Sequence, residues 1–212
     1  TWSAYTPRVK SAVIAALTST PVFITELYTA LEKGTIQAAE ISSTDRTRLL
    51  KHKDEAIAKQ ASAYFSNFES GGRMQVYQEY KALLSSASNS SNGKTVFTTH
   101  CSACHSYGNI PGGNVGPDLG GVRNQPADAL LLHIVVPNYE MYPAYQTVNI
   151  ETTDGNTVSG WILAETDNSL TIRTAFSTEV SVLRKNIKQL SNPGISLMPD
   201  GLEQAISKQD MV

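Results

Sequence analysis

Cys101, Cys104 and His105 stand in the run Cys-Ser-Ala-Cys-His and use up both cysteines of the chain. On a helical turn, thiols at i and i+3 and an imidazole at i+4 converge on one side. That arrangement suits two thioether bonds to the vinyl groups of a haem, with His105 as proximal ligand to the iron; it is the c-type haem attachment pattern. Two other chemistries use parts of the same pattern. A thioredoxin-like dithiol expects a strand before the motif and an α/β domain around it, and neither is evident. A structural zinc site needs four ligands, but His52, His100 and His133 lack the usual paired spacing, and each reads as a surface or satisfied core residue.

Covalent haem predicts two further features along the same line of sequence. The sixth iron position wants a soft or imidazole ligand from a later loop, commonly a methionine. Of the four methionines, Met74 lies on a helix face at core spacing and Met211 belongs to the last predicted helix. Met141 and Met198 both lie in loops. Met198 is preferred because Pro199 stiffens its loop and a C-terminal helix is expected after it; Met141, a histidine and an open position remain alternatives. The second feature is a rigid glycine-rich loop that hydrogen-bonds the proximal imidazole and stops it rotating about its iron bond. Gly116-Pro117-Asp118-Leu119 suits this, with the Pro117 carbonyl accepting from the His105 ring N–H and Leu119 packing on the porphyrin. A phosphate-binding reading of these glycines is weak, since no strand precedes them and no Gly-Lys-Ser/Thr follows. Tyr142 and Tyr145 flank Pro143, with packing as their default role and a propionate contact as a minor alternative. No Gly-x-Ser-x-Gly or His-Glu-x-x-His is present, so no catalytic constellation accompanies the motif.

Composition narrows the class. The 212 residues carry a formal charge of −2 and are 41% hydrophobic, which speaks against disorder and against a nucleic-acid-binding basic protein. Charged residues are only 17%, below the ~25% usual in soluble domains, and serine and threonine together outnumber them, so neutral hydroxyls do much of the solvating. No run approaches the ~18 consecutive apolar residues of a membrane span. Thr1 is not an initiator methionine, so the sequence reads as a processed chain or a piece of a longer one.

The elements that must position the motif fall into blocks. Residues 1–84 read as paired short helices. Val9, Val13, Ile14 and Leu17 form one stripe; Thr20 caps and Pro21 opens a second helix that Gly34 ends; Asp54 caps a helix bearing Ile57, Ala61, Tyr64 and Phe65; a fifth carries Met74, Tyr77, Tyr80 and Leu84. Helix pairs of this length suggest a HEAT-like fragment or an ordinary bundle, which bury stripes alike. Ser85 to Gly93 (SSASNSSNG) reads as a linker, with the boundary placed at residues 85–92. Gly93 to His100 is then a helix feeding into the motif with Val96 and Phe97 inward, and Ala127 to Val136 is a second helix. Residues 144–191 alternate, with an Asp154-Gly155 type I′ hairpin signal and about five short strands making a small antiparallel barrel or curled sheet.

The order Cys-Ser-Ala-Cys-His, Gly-Pro-Asp-Leu-Gly-Gly, Leu-His-Ile-Val-Val-Pro-Asn, Tyr-Gln-Thr-Val-Asn-Ile-Glu-Thr-Thr-Asp-Gly-Asn-Thr-Val-Ser-Gly and Ile-Ser-Leu-Met-Pro-Asp-Gly-Leu resembles the haem-binding domain of Planctomycetes and Verrucomicrobia. The resemblance covers about residues 92–212. It implies a small β domain inserted into a cytochrome c fold, between the haem-attachment half (residues 93–143) and the methionine loop (residues 192–212). Carried over residue by residue, it implies thioethers at Cys101 and Cys104, proximal His105, a loop contact at Pro117 and distal Met198. The preceding helices resemble the HEAT-like segment of predicted membrane-bound dehydrogenases.

The expected fold class is thus mainly α with a β insert: a HEAT-like helical segment, then an all-α cytochrome c fold interrupted by a small barrel. The expected function is one-electron relay through one covalent haem c, from a dehydrogenase, sugar-oxidising if the resemblance extends that far, to a respiratory acceptor. The chain is not expected to be an enzyme itself. A haem enzyme or gas sensor with an open sixth position, and a docking scaffold, are the alternatives. Haem attachment places maturation in the periplasm or elsewhere outside the cytoplasm.

Overall fold

The computed structural model describes Trp2 and residues 5–70 and 72–211. Its first four helices, α1 (Pro7–Leu17), α2 (Pro21–Glu32), α3 (Ser43–Leu50) and α4 (Glu55–Ser70), share one core built on Ile14, Ile24, Leu27, Tyr28, Ile41, Leu49, Ala61 and Phe65. The expected start and stop signals operate. Thr20 Oγ1 accepts from Phe23 N, Asp54 Oδ1 accepts from Ala56 N at 2.9 Å, and Gly34 ends α2 at φ +67°.

The inward face of α1 differs from the expected stripe. Pro7, Lys10 and Ile14 are buried, while Val9 and Val13 are exposed. The Lys10 ammonium goes inward because a partner is waiting: it donates to Glu40 Oε1 at 2.6 Å, the Trp2 indole N–H donates to Glu40 Oε2 at 3.0 Å, and the Trp2 ring covers the ammonium. A hydrophobicity stripe cannot register a lysine neutralised from outside its own helix.

α5 (Gly72–Lys81) packs Tyr77 and Tyr80 against Leu131 and Val135 of α7 (Ala127–Val135), with Met74 and Met211 beside them. Between these two lies α6 (Ser90–His100), which Asn89 caps by accepting from Ser91 N and Asn92 N, so the second half of the serine-rich stretch is helical. The helix therefore starts three residues earlier than the glycine at 93 suggests.

Five strands follow: β1 (Val148–Thr152), β2 (Thr157–Glu165), β3 (Ser169–Arg173), β4 (Glu179–Leu183) and β5 (Ile187–Ser191), in the antiparallel order β4-β3-β2-β1-β5. Val148, Ile150, Leu170, Ile172, Val182 and Leu190 line one face. Register shifts at Glu151/Thr152 and Ile162/Ala164 bend the sheet enough for Val182 of β4 and Leu190 of β5 to share that core. The two edge strands nevertheless do not pair: a short 3-10 turn, Arg184–Asn186, carries the chain from one to the other without a ladder.

These observations correct the expected fold class. With 44% helix and 15% strand in an open five-stranded sheet, the protein is α+β rather than mainly α with a small barrel. The expected all-α close is also missing from the described residues, where Leu202 opens only a 3-10 turn, Leu202–Gln204, followed by turns. Gly201 enters that turn at φ +88°, and Ser207 and Asp210 hydrogen-bond each other in a tight turn that stops helix propagation. The Asp154-Gly155 hairpin is likewise not type I′, which needs positive φ at both central residues, since only Gly155 has one (φ +86°). Gly155 N donates to Thr152 O at 3.0 Å, giving a turn closed by a left-handed glycine.

Two ion pairs hold the helical part and the chain's end in place. Lys10 and Glu40 are each about 5% exposed at the side chain; removing one charge strands the other, at a cost of about 3–5 kcal/mol. Lys10→Met is expected to lower unfolding free energy by that order in urea titration, and Lys10→Met with Glu40→Leu to regain most of it; a single variant within 1 kcal/mol of the parent would refute the buried pair. Arg73 donates to Glu203 at 2.8 and 2.7 Å, holding the Glu203 carboxyl below its usual range. A carboxyl depressed in the folded state adds stability above its unfolded pKa of about 4.3, and that stability is lost as pH falls through the lower folded value. Unfolding measured at successively lower pH should therefore show a destabilising limb that Arg73→Met reduces; equal limbs would remove the pair from the acid response.

Candidate functional site

The motif continues α6 for one turn. Cys101 N donates to Phe97 O at 2.9 Å, and His105 N donates to Cys101 O at 2.9 Å, so Cys101, Cys104 and His105 occupy i, i+3 and i+4 of a helical turn. Both thiols are free and half-buried, and burial pushes both thiol pKa values up. The motif sits at the C-terminal end of its helix. A redox dithiol is activated by the opposite placement, at a helix N-terminus that lowers the thiol pKa. Among the described residues no group of three or more His, Cys, Asp or Glu is arranged to hold a metal ion, so the three motif residues do not form a cage by themselves.

A second segment, residues 112–119, folds directly onto this turn. Gly113 N donates to Ser102 O at 3.2 Å, Val115 N and Gly116 N donate to Cys104 O at 3.2 and 3.0 Å, and Leu119 N donates to Ser106 O at 2.8 Å. Backbone this close leaves no room for side chains. A Cβ on Gly112 would lie 2.1 Å from the His105 carbonyl carbon, and one on Gly113 would lie 2.0 Å from Ala103 O. At Gly116 a Cβ would lie 2.3 Å from His105 Cε1 and 2.7 Å from Nδ1, so this glycine is packed flat on the imidazole.

The expected loop contact is present: His105 Nδ1 lies 2.8 Å from Pro117 O. A carbonyl can only accept, so Nδ1 carries a proton, and in the neutral imidazole Nε2 is the nitrogen with the free lone pair. Asp118 holds the far side of the loop, accepting from Ser106 Oγ and Gly120 N, and these two donors pull its carboxyl below the usual range. Leu119 opens a 3-10 turn, Leu119–Val122, and its side chain is half-buried outside every core cluster.

Cys101, Cys104, His105, Gly116 and Pro117 are thus brought together. Met198 belongs to a separate loop: its N–H donates to Ser196 Oγ at 3.1 Å, and Ser196 N donates to Asn138 Oδ1 at 2.7 Å in the turn after α7. The other methionines have packing roles or face elsewhere. Met74 and Met211 sit in the α5–α7 cluster, and Met141 lines a cleft with Ser11 of α1, Arg46 of α3 and Ile41 from the segment between α2 and α3. Tyr145 packs on Trp161, while Tyr142 is 62% exposed. His52 Nδ1 accepts from Asp54 N, a local turn contact.

Sequence reasoning missed the clamp supplied by the sheet. Ser177 Oγ donates to Gly113 O, and Arg173 Nη1 donates to Asn114 O at 3.3 Å, so the β3–β4 turn grips the loop that carries Gly116 and Pro117. Its only trace in the sequence is the Pro-Gly-Gly-Asn run, whose Asn114 takes a left-handed conformation at φ +54°.

The residues present fit a haem. The cradle that a Cβ at Gly116 would fill fixes the imidazole; the tautomer leaves Nε2 as ligand; and both thiols lie on the same turn. Apolar side chains on the motif's own elements are half-exposed rather than packed: α6, which leads into the motif, buries none of its residues, and Leu119 of the glycine loop belongs to no core cluster. A flat apolar group is what such surfaces lack as a neighbour. Comparison with protein-family models and with curated proteins returns no match for this chain.

The glycine geometry makes a sharp prediction. Gly116→Ala is expected to expel the loop from the imidazole and release Nδ1 from Pro117, which nitrogen-15 NMR of His105 reads as loss of the Nδ1–H tautomer. Gly121→Ala, where nothing lies within 4 Å, should leave the spectrum unchanged; equal behaviour of the two variants would refute the cradle.

Proposed function

We propose that this chain is an electron-transfer module of the c-type cytochrome class, holding one haem c through Cys101 and Cys104, with His105 and Met198 as axial ligands. The observation that carries the reading is the His105 ring, fixed by Gly116 against its face and Pro117 at Nδ1 so that only Nε2 can bind a metal. A metal-bound histidine almost always donates its other ring N–H to such an acceptor, which sets ring orientation and basicity.

Each residue then has a distinct task. Cys101 and Cys104 would hold the group covalently, each S–H adding across one vinyl group with sulfur on one carbon and the proton on its neighbour, so nothing would be lost in attachment. When bound, the haem supplies a one-electron couple between ferric and ferrous iron. Met198 offers a soft thioether sulfur that favours the reduced form and raises the potential. The Asn138–Ser196 bond keeps its loop from drifting. Gly112 and Gly113 let the loop backbone lie directly against the cysteine turn. A donor dehydrogenase and a respiratory acceptor as partners, and a location outside the cytoplasm, follow from this reading together with the resemblance.

Expressed with a haem c maturation system, the protein is expected to gain the mass of one haem, to show a c-type visible spectrum, and to bind carbon monoxide only slowly. Cys101→Ala with Cys104→Ala should abolish the mass gain, and Met198→Ala should remove the sulfur-to-iron charge-transfer band and open the iron to carbon monoxide. No mass gain in the parent chain would sink the cytochrome reading. Rapid carbon monoxide binding by the parent would point instead to a sensor or peroxidase-like centre.

A further inference from the structure

Three buried side-chain atoms have no hydrogen-bond partner among the described residues: Thr147 Oγ1, Trp161 Nε1 and Arg173 Nε. A buried polar group left unpaired forfeits its hydrogen bonds to water and destabilises the fold. Trp161 and Thr147 are only 9% and 4% exposed, so bulk water does not readily serve them.

The three are grouped. Trp161 and Arg173 are cross-strand partners on β2 and β3, and the guanidinium lies over the indole, 5.9 Å from its centroid. Tyr145, two residues before Thr147, packs on the same indole at 5.1 Å between centroids. The group also joins both loops of the candidate site. Arg173 Nη1 holds the Asn114 carbonyl, two residues before Gly116, and Thr147 N donates to the Ile195 carbonyl, three residues before Met198. Arg173 and Thr147 thus tie the sheet and the segment leading into it to both loops that carry the proposed ligands.

Two of the three atoms are N–H donors with no acceptor capacity, and one belongs to a guanidinium. Their natural partner is an anionic oxygen, which can accept from several N–H groups at once. Glu179 takes one end of the Arg173 fork at Nη2, leaving Nε for another acceptor. We propose that Trp161 Nε1 and Arg173 Nε, with Thr147 Oγ1, bind a carboxylate of the tetrapyrrole, one of its two propionates, so that the β-sheet forms one wall of the haem pocket. This rests on the cytochrome reading above.

The test uses the intact haem-loaded chain. In the reduced, diamagnetic protein, the Trp161 indole N–H should give a nuclear Overhauser cross-peak to the propionate methylene protons, with Trp161→Phe assigning the resonance. The Trp2 indole, committed to Glu40, should give none. Absence of the Trp161 cross-peak in a protein that carries covalent haem overturns the proposal, whatever the variants do. Trp161→Phe keeps a ring against Tyr145 but removes the donor; it should lower the reduction potential, because a propionate charge left without its donor favours ferric iron, while the sulfur-to-iron band stays. An unchanged potential also overturns the proposal. A parent chain that attaches no haem would overturn the cytochrome reading and this proposal with it, so the two failures are told apart by mass alone.

Discussion

The backbone of residues 112–117 runs so near the Cys101–His105 turn that a single Cβ at any of three positions would overlap it, and the rest of the site depends on this closeness. The proximity is bought with glycine's lack of a side chain and held by N–H donors from Gly113, Val115 and Gly116 to the carbonyls of the motif turn. Those bonds satisfy carbonyl groups that a helix C-terminus would otherwise leave open. The same contacts that end α6 therefore also place Pro117 at His105 Nδ1. Helix termination and imidazole orientation are one event, which is why the tautomer is fixed without any dedicated charged partner.

The proposed site, with His105 on a helix turn and Met198 in a remote loop, needs a frame that keeps the two in register. Here the frame comes from two sides, α5 and the sheet. Arg73, on α5, donates to Val135 O at the end of α7 and to both oxygens of Glu203 just beyond the Met198 loop. On the other side, the sheet holds the glycine loop through Ser177 and Arg173 and the Met198 loop through Thr147 N to Ile195 O. The helix that leads into the cysteine turn buries none of its own residues, so the elements flanking the site carry its rigidity.

What the sequence disclosed follows the range of the forces involved. The motif turn, the Pro117 acceptor and the Thr20 and Asp54 caps depend on residues within a few positions or on the chemistry of one side chain, and they were legible. The five strands were legible as well, since alternation is local; whether β4 and β5 would close a barrel was not, because that turns on two bulges and a 3-10 connection that leave no periodic mark. The inward Lys10 and the grip of Arg73 on Glu203, 130 residues away, depend on partners that only the tertiary fold supplies. The expected C-terminal helix failed on local chemistry that was readable: a left-handed Gly201 and a Ser207–Asp210 turn.

The sheet is the element whose purpose the sequence left blank, and its polar imbalance supplies one. A five-stranded sheet with an apolar core has no need of an arginine and a tryptophan facing each other across strands with donors unpaired; burying them costs stability that an isolated β domain would recover by ordinary substitution. The cost is understandable where the unpaired donors serve a group that the sheet does not itself contain. Arg173 and Thr147 are tied to the glycine loop and to the Met198 loop, and the proposed carboxylate contact rests on those ties. If the proposed haem is held, the segments before and after the β strands would each supply one of its ligands, and the contacts from Arg173 and Thr147 reach both.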